Sequence, residues 1–422
     1  MKTLIFRDAY RNDDWGTKLF LFVLNPLLGF LYSLIRPASN SSRVIFLFFG
    51  LLYAWLMDTH NEAFDFTRIV HDFYSSNMTT SQVEEEIMAF LRMESSYKEI
   101  YQFILIWFTK LFSQNYHLLF FFACIPVQIL MLKSIGLITN DLDKYRRNMY
   151  TFTILLLFIM PFDLFQLSNF RFPTALWISV YSTLCILYRQ KYQYIIILLL
   201  APFFHSGLWL YVLFLIVALI LRNKIPLRFI EILFVVSIPF AFIESDLLTS
   251  VRSLNFGFLP DIFVKWIDHY TSQEMIDKFG LYRKGSGFYW VEILIRKINV
   301  LAYIYGVYLL LQQSKSILGK ANLSNIKYLL LFITFVNFIQ VIPTLGGRYF
   351  CLFQILFSVV WFKTFYGSKK NKFIYIILAT YMYTLIYHKL GYYIMTLDVD
   401  FLYMNLFSLI FKNIGVTTFN LL

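Results

Sequence analysis

Three side chains able to carry positive charge or move a proton stand where apolar segments begin or end. Arg171 lies in Ser168-Asn169-Phe170-Arg171-Phe172-Pro173, at the head of one long apolar run. Arg348 follows Gly346-Gly347 at the head of another. His205 sits in Phe203-Phe204-His205-Ser206-Gly207, where two short apolar runs meet after Pro202. A cation in such a place is costly if buried, so a functional role is its default reading. Guanidinium groups pair bidentately with phosphate oxygens, and two of them can clamp a diphosphate. The bland alternatives are an arginine snorkelling to headgroups and a histidine that caps a helix or satisfies a buried carbonyl.

Two further groups have chemistry to offer. Asp65, Arg68 and Asp72 fall at helical spacing. They make either a titrating cluster or a surface ion-pair ladder of little energetic weight. Trp266, Tyr270 and Tyr282 could stack on sugar rings, or anchor the chain at a membrane interface. Soluble-enzyme motifs are missing from the sequence. It has no Gly-rich phosphate loop ending in Lys-Ser/Thr, no His-Glu-x-x-His and no aspartate-rich metal box, and Gly285-Ser286-Gly287 lacks the strand–turn–helix setting of a nucleophile elbow. This argues against nucleotide-sugar and ATP sites, and neither a metal nor a cofactor is expected. Cys124, Cys185 and Cys351 all lie in apolar stretches and read as small buried hydrophobes, with no disulfide or metal-ligand spacing.

The elements that position these groups are read from hydropathy. Of 422 residues, 59% are hydrophobic and 15% charged, whereas a soluble domain is about 45–50% apolar and about 25% charged. So little polar surface cannot cover a soluble globule, and lipid is the natural solvent. The +12 net charge builds no basic face but punctuates apolar runs, which excludes nucleic acid as a partner. Apolar runs fall at 19–35, 44–57, 116–132, 149–162, 170–188, 193–204, 206–221, 228–243, 290–311, 327–342, 348–366, 373–387 and 398–411. One set of short loops holds most of the Lys and Arg, including Arg43, Lys133, Arg189, Lys191, Arg222 and Lys363. The opposite set holds Arg171, Arg348 and Lys389. The first set is therefore cytoplasmic. Thirteen crossings would put the N-terminus outside and the C-terminus inside, with no cleavable signal at the start. Segment 97–113 fits an amphipathic helix in the outer interface better than a crossing, because Lys98, Glu99 and Lys110 would be costly in mid-bilayer. Two larger outer loops remain, 58–115 and 244–289. The expected fold is a single all-α domain over 1–422: a polytopic transmembrane helix bundle of about 12–14 spans in a bacterial inner membrane.

The stretch RFPTALWISVYSTLCILYRQKYQYIIILLLAPFFHSGLWLYVLFLIVAL at 171–219 resembles the core of EpsG-like, Wzy-type polysaccharide polymerases. The resemblance lies in an Arg opening a span, a short basic hairpin (Tyr188-Arg189-Gln190-Lys191) and a helix ending in an apolar-His-Ser-small turn at His205. The acidic–aromatic segment FDFTRIVHDFY at 64–74, the helix at 97–113 and Arg348-Tyr349 are similar to the family's layout too. The resemblance implies a metal-independent glycosyltransferase working on the periplasmic face. Its substrates would be oligosaccharide repeat units on undecaprenyl diphosphate. The growing chain would move from its lipid diphosphate onto the non-reducing-end sugar of a new unit, with inversion at the anomeric carbon. The product would be O-antigen in a Gram-negative host, and capsule or exopolysaccharide in others. A chain-length regulator of the Wzz type is the implied protein partner. In this reading Arg171 and Arg348 hold the diphosphate, and the acceptor's proton goes to His205 as first candidate or to Asp65 as second. The rival is a flippase of lipid-linked oligosaccharides. That activity calls for charges deep in a central cavity, often between two pseudo-symmetric halves, and the sequence displays neither.

Overall fold

The computed structural model describes residues 13–34, 39–57, 65–92, 94, 99–142, 149–162, 167, 169–242, 289–314, 320–340, 342–365, 372–384 and 403–411. Apart from Tyr289, the expected outer loop 244–289, with Trp266, Tyr270 and Tyr282, lies outside those residues, as do Lys98 and Lys389. Every regular element among the described residues is helical. In chain order the helices are α1 (Trp15–Leu24), α2 (Pro26–Ser33), α3 (Asn40–Leu56), α4 (Asp65–Ser75), α5 (Thr80–Leu91), α6 (Tyr101–Lys110), α7 (Tyr116–Leu142), α8 (Met149–Ile159), α9 (Arg171–Arg189), α10 (Tyr194–Leu198), α11 (Ala201–Phe204), α12 (Trp209–Leu221), α13 (Leu227–Ser237), α14 (Tyr289–Ser314), α15 (Lys320–Ile339), α16 (Pro343–Phe365) and α17 (Phe373–Thr384). Three of them, α7, α14 and α16, are long and apolar enough to cross a membrane. Their candidate spans are 23, 21 and 21 residues long, enough to match the roughly 20 residues that cross about 30 Å of hydrocarbon.

The run at 19–35 is not one crossing helix. Asn25 and Pro26 break it: Pro26 has no N–H to continue α1, and the Asn25 side chain caps α2 by accepting from the Leu28 N–H at 2.9 Å. The chain turns back, and Gly29 lies so close to Phe22 that an added Cβ would sit 2.5 Å from the Phe22 Cα. The start of α1 and the end of α2 therefore meet, with the Tyr32 hydroxyl donating to Asp14 at 3.0 Å. Lys18 fixes this base. It is 1% exposed, donates to Ser39 and Ser41 at 2.8 and 2.7 Å, and pairs with Asp14 at 2.8 Å. The hydrogen bond from Lys18 holds Asp14 below the usual carboxylate range.

Within the segment 58–115, between α3 and α7, the described residues form three helices. Helix α4 buries Phe66, Ile69 and Phe73, and α5 opens with a capping box between Thr79 and Gln82. Helix α6 is 10 residues long, about 15 Å, half of what a crossing needs. It buries Phe103, Leu105, Ile106 and Thr109. Lys110 reaches across to the Ser76 carbonyl, and Gln102 donates to Asp72 at 3.0 Å. Glu84 and Glu85 form a solvated face.

Helix α9 is the axis that positions the site. Almost every residue from Phe172 to Leu187 is buried, against α7 on one side and α10, α11 and α16 on the others. Its Arg171 end meets α6 and α16, whereas at its far end Lys363 of α16 lies 4.5 Å from the Tyr188 ring. The two ends are separated by roughly 27 Å of helix. An apolar groove among α2, α3, α7 and α8, lined by Phe30, Phe46, Leu132, Phe152 and Ile159, touches none of the candidate site residues.

Candidate functional site

His205 occupies a deliberate break. Pro202 starts the one-turn helix α11, and the chain leaves it in extended conformation at His205 (φ −151°, ψ 111°). A tight turn over Ser206–Leu208 then leads into α12. The Gly207 N–H faces His205 Nδ1 at 3.0 Å. Glycine is required there, because a Cβ would stand 2.9 Å from the imidazole Cε1. The turn is clamped from α16, where the Tyr349 hydroxyl donates to the Gly207 carbonyl at 2.6 Å.

Arg348 reaches the other face of the ring, its Nη1 lying 3.0 Å from His205 Nε2. A guanidinium can only donate and a neutral imidazole accepts at one nitrogen, so Nε2 accepts from Arg348 in one tautomer and Nδ1 from Gly207 in the other; the ring is neutral in both. The Arg348 Cζ also lies 5.0 Å from the centre of the Phe172 ring, a cation–π contact. Phe172 in turn meets His205 edge-on at 5.3 Å. Gly346 allows the tight handover from α15 to α16, since a Cβ there would lie 2.6 Å from the Gln340 Cα.

Arg171 is not the uncompensated cation that its position alone suggests. Its Nη1 pairs with Glu99 Oε2 at 3.1 Å, both side chains being largely buried (20% and 10% exposed). Its Nε donates to the Asn169 side chain at 3.3 Å. Asn169 donates in turn to Asp65, whose other oxygen pairs with Arg68 at 2.7 Å. Glu99 also joins the His205 side: its Oε1 accepts from the Ser206 N–H and hydroxyl at 3.2 and 3.3 Å and lies 3.7 Å from His205 Nδ1. A continuous polar chain therefore runs Asp65–Asn169–Arg171–Glu99–His205–Arg348.

All four residues to which the sequence assigned diphosphate or proton chemistry thus belong to one cluster, although His205 and Arg348 are 143 residues apart. The cluster's two central connectors, Glu99 and Asn169, are not among the residues singled out from sequence. Asp65 lies at the margin, in a largely exposed ion pair with Arg68, as the ladder reading expects. Asp72 departs from that ladder and bonds Gln102 instead. Trp266, Tyr270 and Tyr282 lie outside the described residues.

The cluster can bind an anion and handle a proton in a setting of low dielectric. Its four inner side chains hold two guanidiniums, one carboxylate and one neutral imidazole. Comparison of the chain with protein-family models, curated proteins and solved structures gives no match.

Proposed function

We propose that this protein is a membrane glycosyltransferase of the polysaccharide-polymerase kind. It joins oligosaccharide repeat units carried on undecaprenyl diphosphate, at the outer face of a bacterial inner membrane. The observation that carries the reading is the convergence of Arg171 and Arg348 on one Glu99–His205 pair at the ends of apolar helices. The opposite ends of those helices bear the basic loops that mark a cytoplasmic side. The sugar–diphosphate bond is already activated, so transfer needs no nucleotide. As that bond breaks, negative charge grows on the leaving diphosphate. Preorganised guanidiniums stabilise charge that develops in the transition state. Arg348, which already approaches the site from α16, is the first to engage. Arg171 has five N–H donors and can keep Glu99 on one edge while offering another to phosphate.

The test is substitution in the producing cell. Arg348→Ala and Arg171→Ala should each abolish long polymer, by at least about 100-fold, with protein level unchanged. Single lipid-linked repeats should then accumulate on the outer face. Full-length chains in either variant would remove that arginine from the mechanism. Repeats stranded on the inner face would instead identify a flippase, the reading in which the same residues serve transport.

A further inference from the structure

The structure assigns a role to Glu99 that its sequence position conceals: we infer that Glu99 is the general base of the site and that His205 is a positioning residue. The inference rests on the glycosyl-transfer reading above and adds the identity of the proton acceptor.

Consider each group that could accept a proton. His205 turns both ring nitrogens toward donors, Nδ1 to the Gly207 N–H and Nε2 to Arg348 Nη1, each at 3.0 Å. A neutral imidazole has one acceptor nitrogen, so neither tautomer leaves a lone pair for a substrate hydroxyl. Asp65 shares its oxygens between Arg68 and Asn169 and sits at the solvated edge. Glu99 differs from both. Its Oε1 is occupied by Ser206. Its Oε2 is sealed from solvent and faces Arg171 Nη1 at 3.1 Å, yet no described group makes an aligned hydrogen bond to it. A buried carboxylate oxygen with an unused acceptor position, beside the guanidinium that would hold the leaving group, is placed to take a proton. An incoming hydroxyl supplies the missing donor.

The acceptor sugar's oxygen bonds to the anomeric carbon while its proton passes to Glu99 Oε2. The carbon–oxygen bond to the diphosphate breaks, and its electron pair leaves with the lipid diphosphate. Arg348 and Arg171 stabilise the added negative charge. Glu99 returns its proton to water when the lipid diphosphate departs.

A structural role for Glu99 competes with this one, since its Oε1 also caps the turn that leads into α12. Glu99→Gln separates the two. Glutamine keeps an oxygen for Ser206 and loses the basicity. The purified full-length protein in vesicles is given lipid-linked repeat units extracted from the producing cells. Glu99→Gln should lower kcat by about 100-fold or more, and loss of the ion pair with Arg171 should also lower the melting temperature, so the pH profile of the residual activity carries the distinction. The low-pH fall in the wild-type kcat profile, expected as a carboxylate protonates, should vanish from the residual activity. His205→Asn should reduce kcat less and leave that fall in place. Wild-type kcat in Glu99→Gln, or a low-pH fall lost in His205→Asn instead, overturns the assignment. If Glu99→Gln does not accumulate, Glu99→Asp takes its place: it should cut kcat and shift the low-pH fall, and an unmoved profile at wild-type rate rejects the base role. Failure of the wild-type protein to extend the repeat units would defeat the glycosyl-transfer reading itself, a separate outcome.

Discussion

A histidine between two helices is held by whatever fixes the turn that carries it. At His205 that is Tyr349, whose hydroxyl donates to the Gly207 carbonyl at 2.6 Å. Tyr349→Phe deletes the donor and leaves a buried carbonyl without this partner, a cost of about 1–3 kcal/mol. The expected result is a lower melting temperature of the purified protein and several-fold slower polymer formation, because the imidazole and Arg348 lose their common registration. An unchanged melting temperature would show that the turn is held by other contacts. The residues legible in the sequence were those that look misplaced by charge: Arg171, His205 and Arg348. Glu99 was not legible. A carboxylate at the head of an amphipathic segment resembles any interfacial charge, and its partner Ser206 is 107 residues away. Asn169 has no charge to draw attention, although it stands two residues before Arg171.

Helix ends are where sequence pattern and structure part company. Periodicity places α9 well, but its C-terminal stop is made by a residue without an obvious breaker signal. Gln190 adopts the left-handed conformation (φ 53°, ψ 31°), with the Lys191 N–H returning to the Cys185 carbonyl at 3.3 Å. A non-glycine residue there costs about 1 kcal/mol or more, partly offset in comparison with glycine by glycine's larger unfolded-state entropy. Gln190 is exposed. Gln190→Gly should therefore stabilise the protein by roughly 0.5–1 kcal/mol. A raised melting temperature with unaltered polymer yield is the expected readout, and a lowered one would mean that the hairpin draws on the Gln190 side chain. The opposite failure occurs at 19–35. Summed hydropathy registers apolar length and is blind to direction, so a helix that folds back on itself scores like one that crosses. The turn signals were present as Asn25-Pro26 and Gly29, but their effect depends on Gly29 meeting Phe22, a tertiary contact that no window along the chain contains.

That fold-back bears on the topology expected for the whole molecule. Asp14 meets Tyr32, and Lys18 meets Ser39 and Ser41, so the chain enters and leaves the α1–α2 hairpin at one level, the level at which α3 begins. Helices α3 and α7 run antiparallel, with Gly50 packed on Gln128 and the Trp55 ring 5.9 Å from His117. The start of α3 therefore shares a side with the end of α7, the side of Lys133 and the basic loops. Helices of 10 and 8 residues reach about 15 Å at most, half of what a crossing needs. In the proposed topology Trp15 is then expected on the cytoplasmic side, whereas thirteen crossings would put the N-terminus outside. Cysteine labelling in intact cells decides the matter, in a background where Cys124, Cys185 and Cys351 are replaced. Met88 of α5, 51% exposed, lies on the layer that carries Glu99, and Met88→Cys should react with a membrane-impermeant maleimide added outside. Tyr192→Cys, at a position 54% exposed beside the Arg189–Lys191 turn, should react only after the membrane is opened. Trp15→Cys, at a position 44% exposed, should behave like Tyr192→Cys. Reaction of Trp15→Cys from outside, alongside Met88→Cys, would mean that α1 and α2 part in the bilayer and the first run crosses after all.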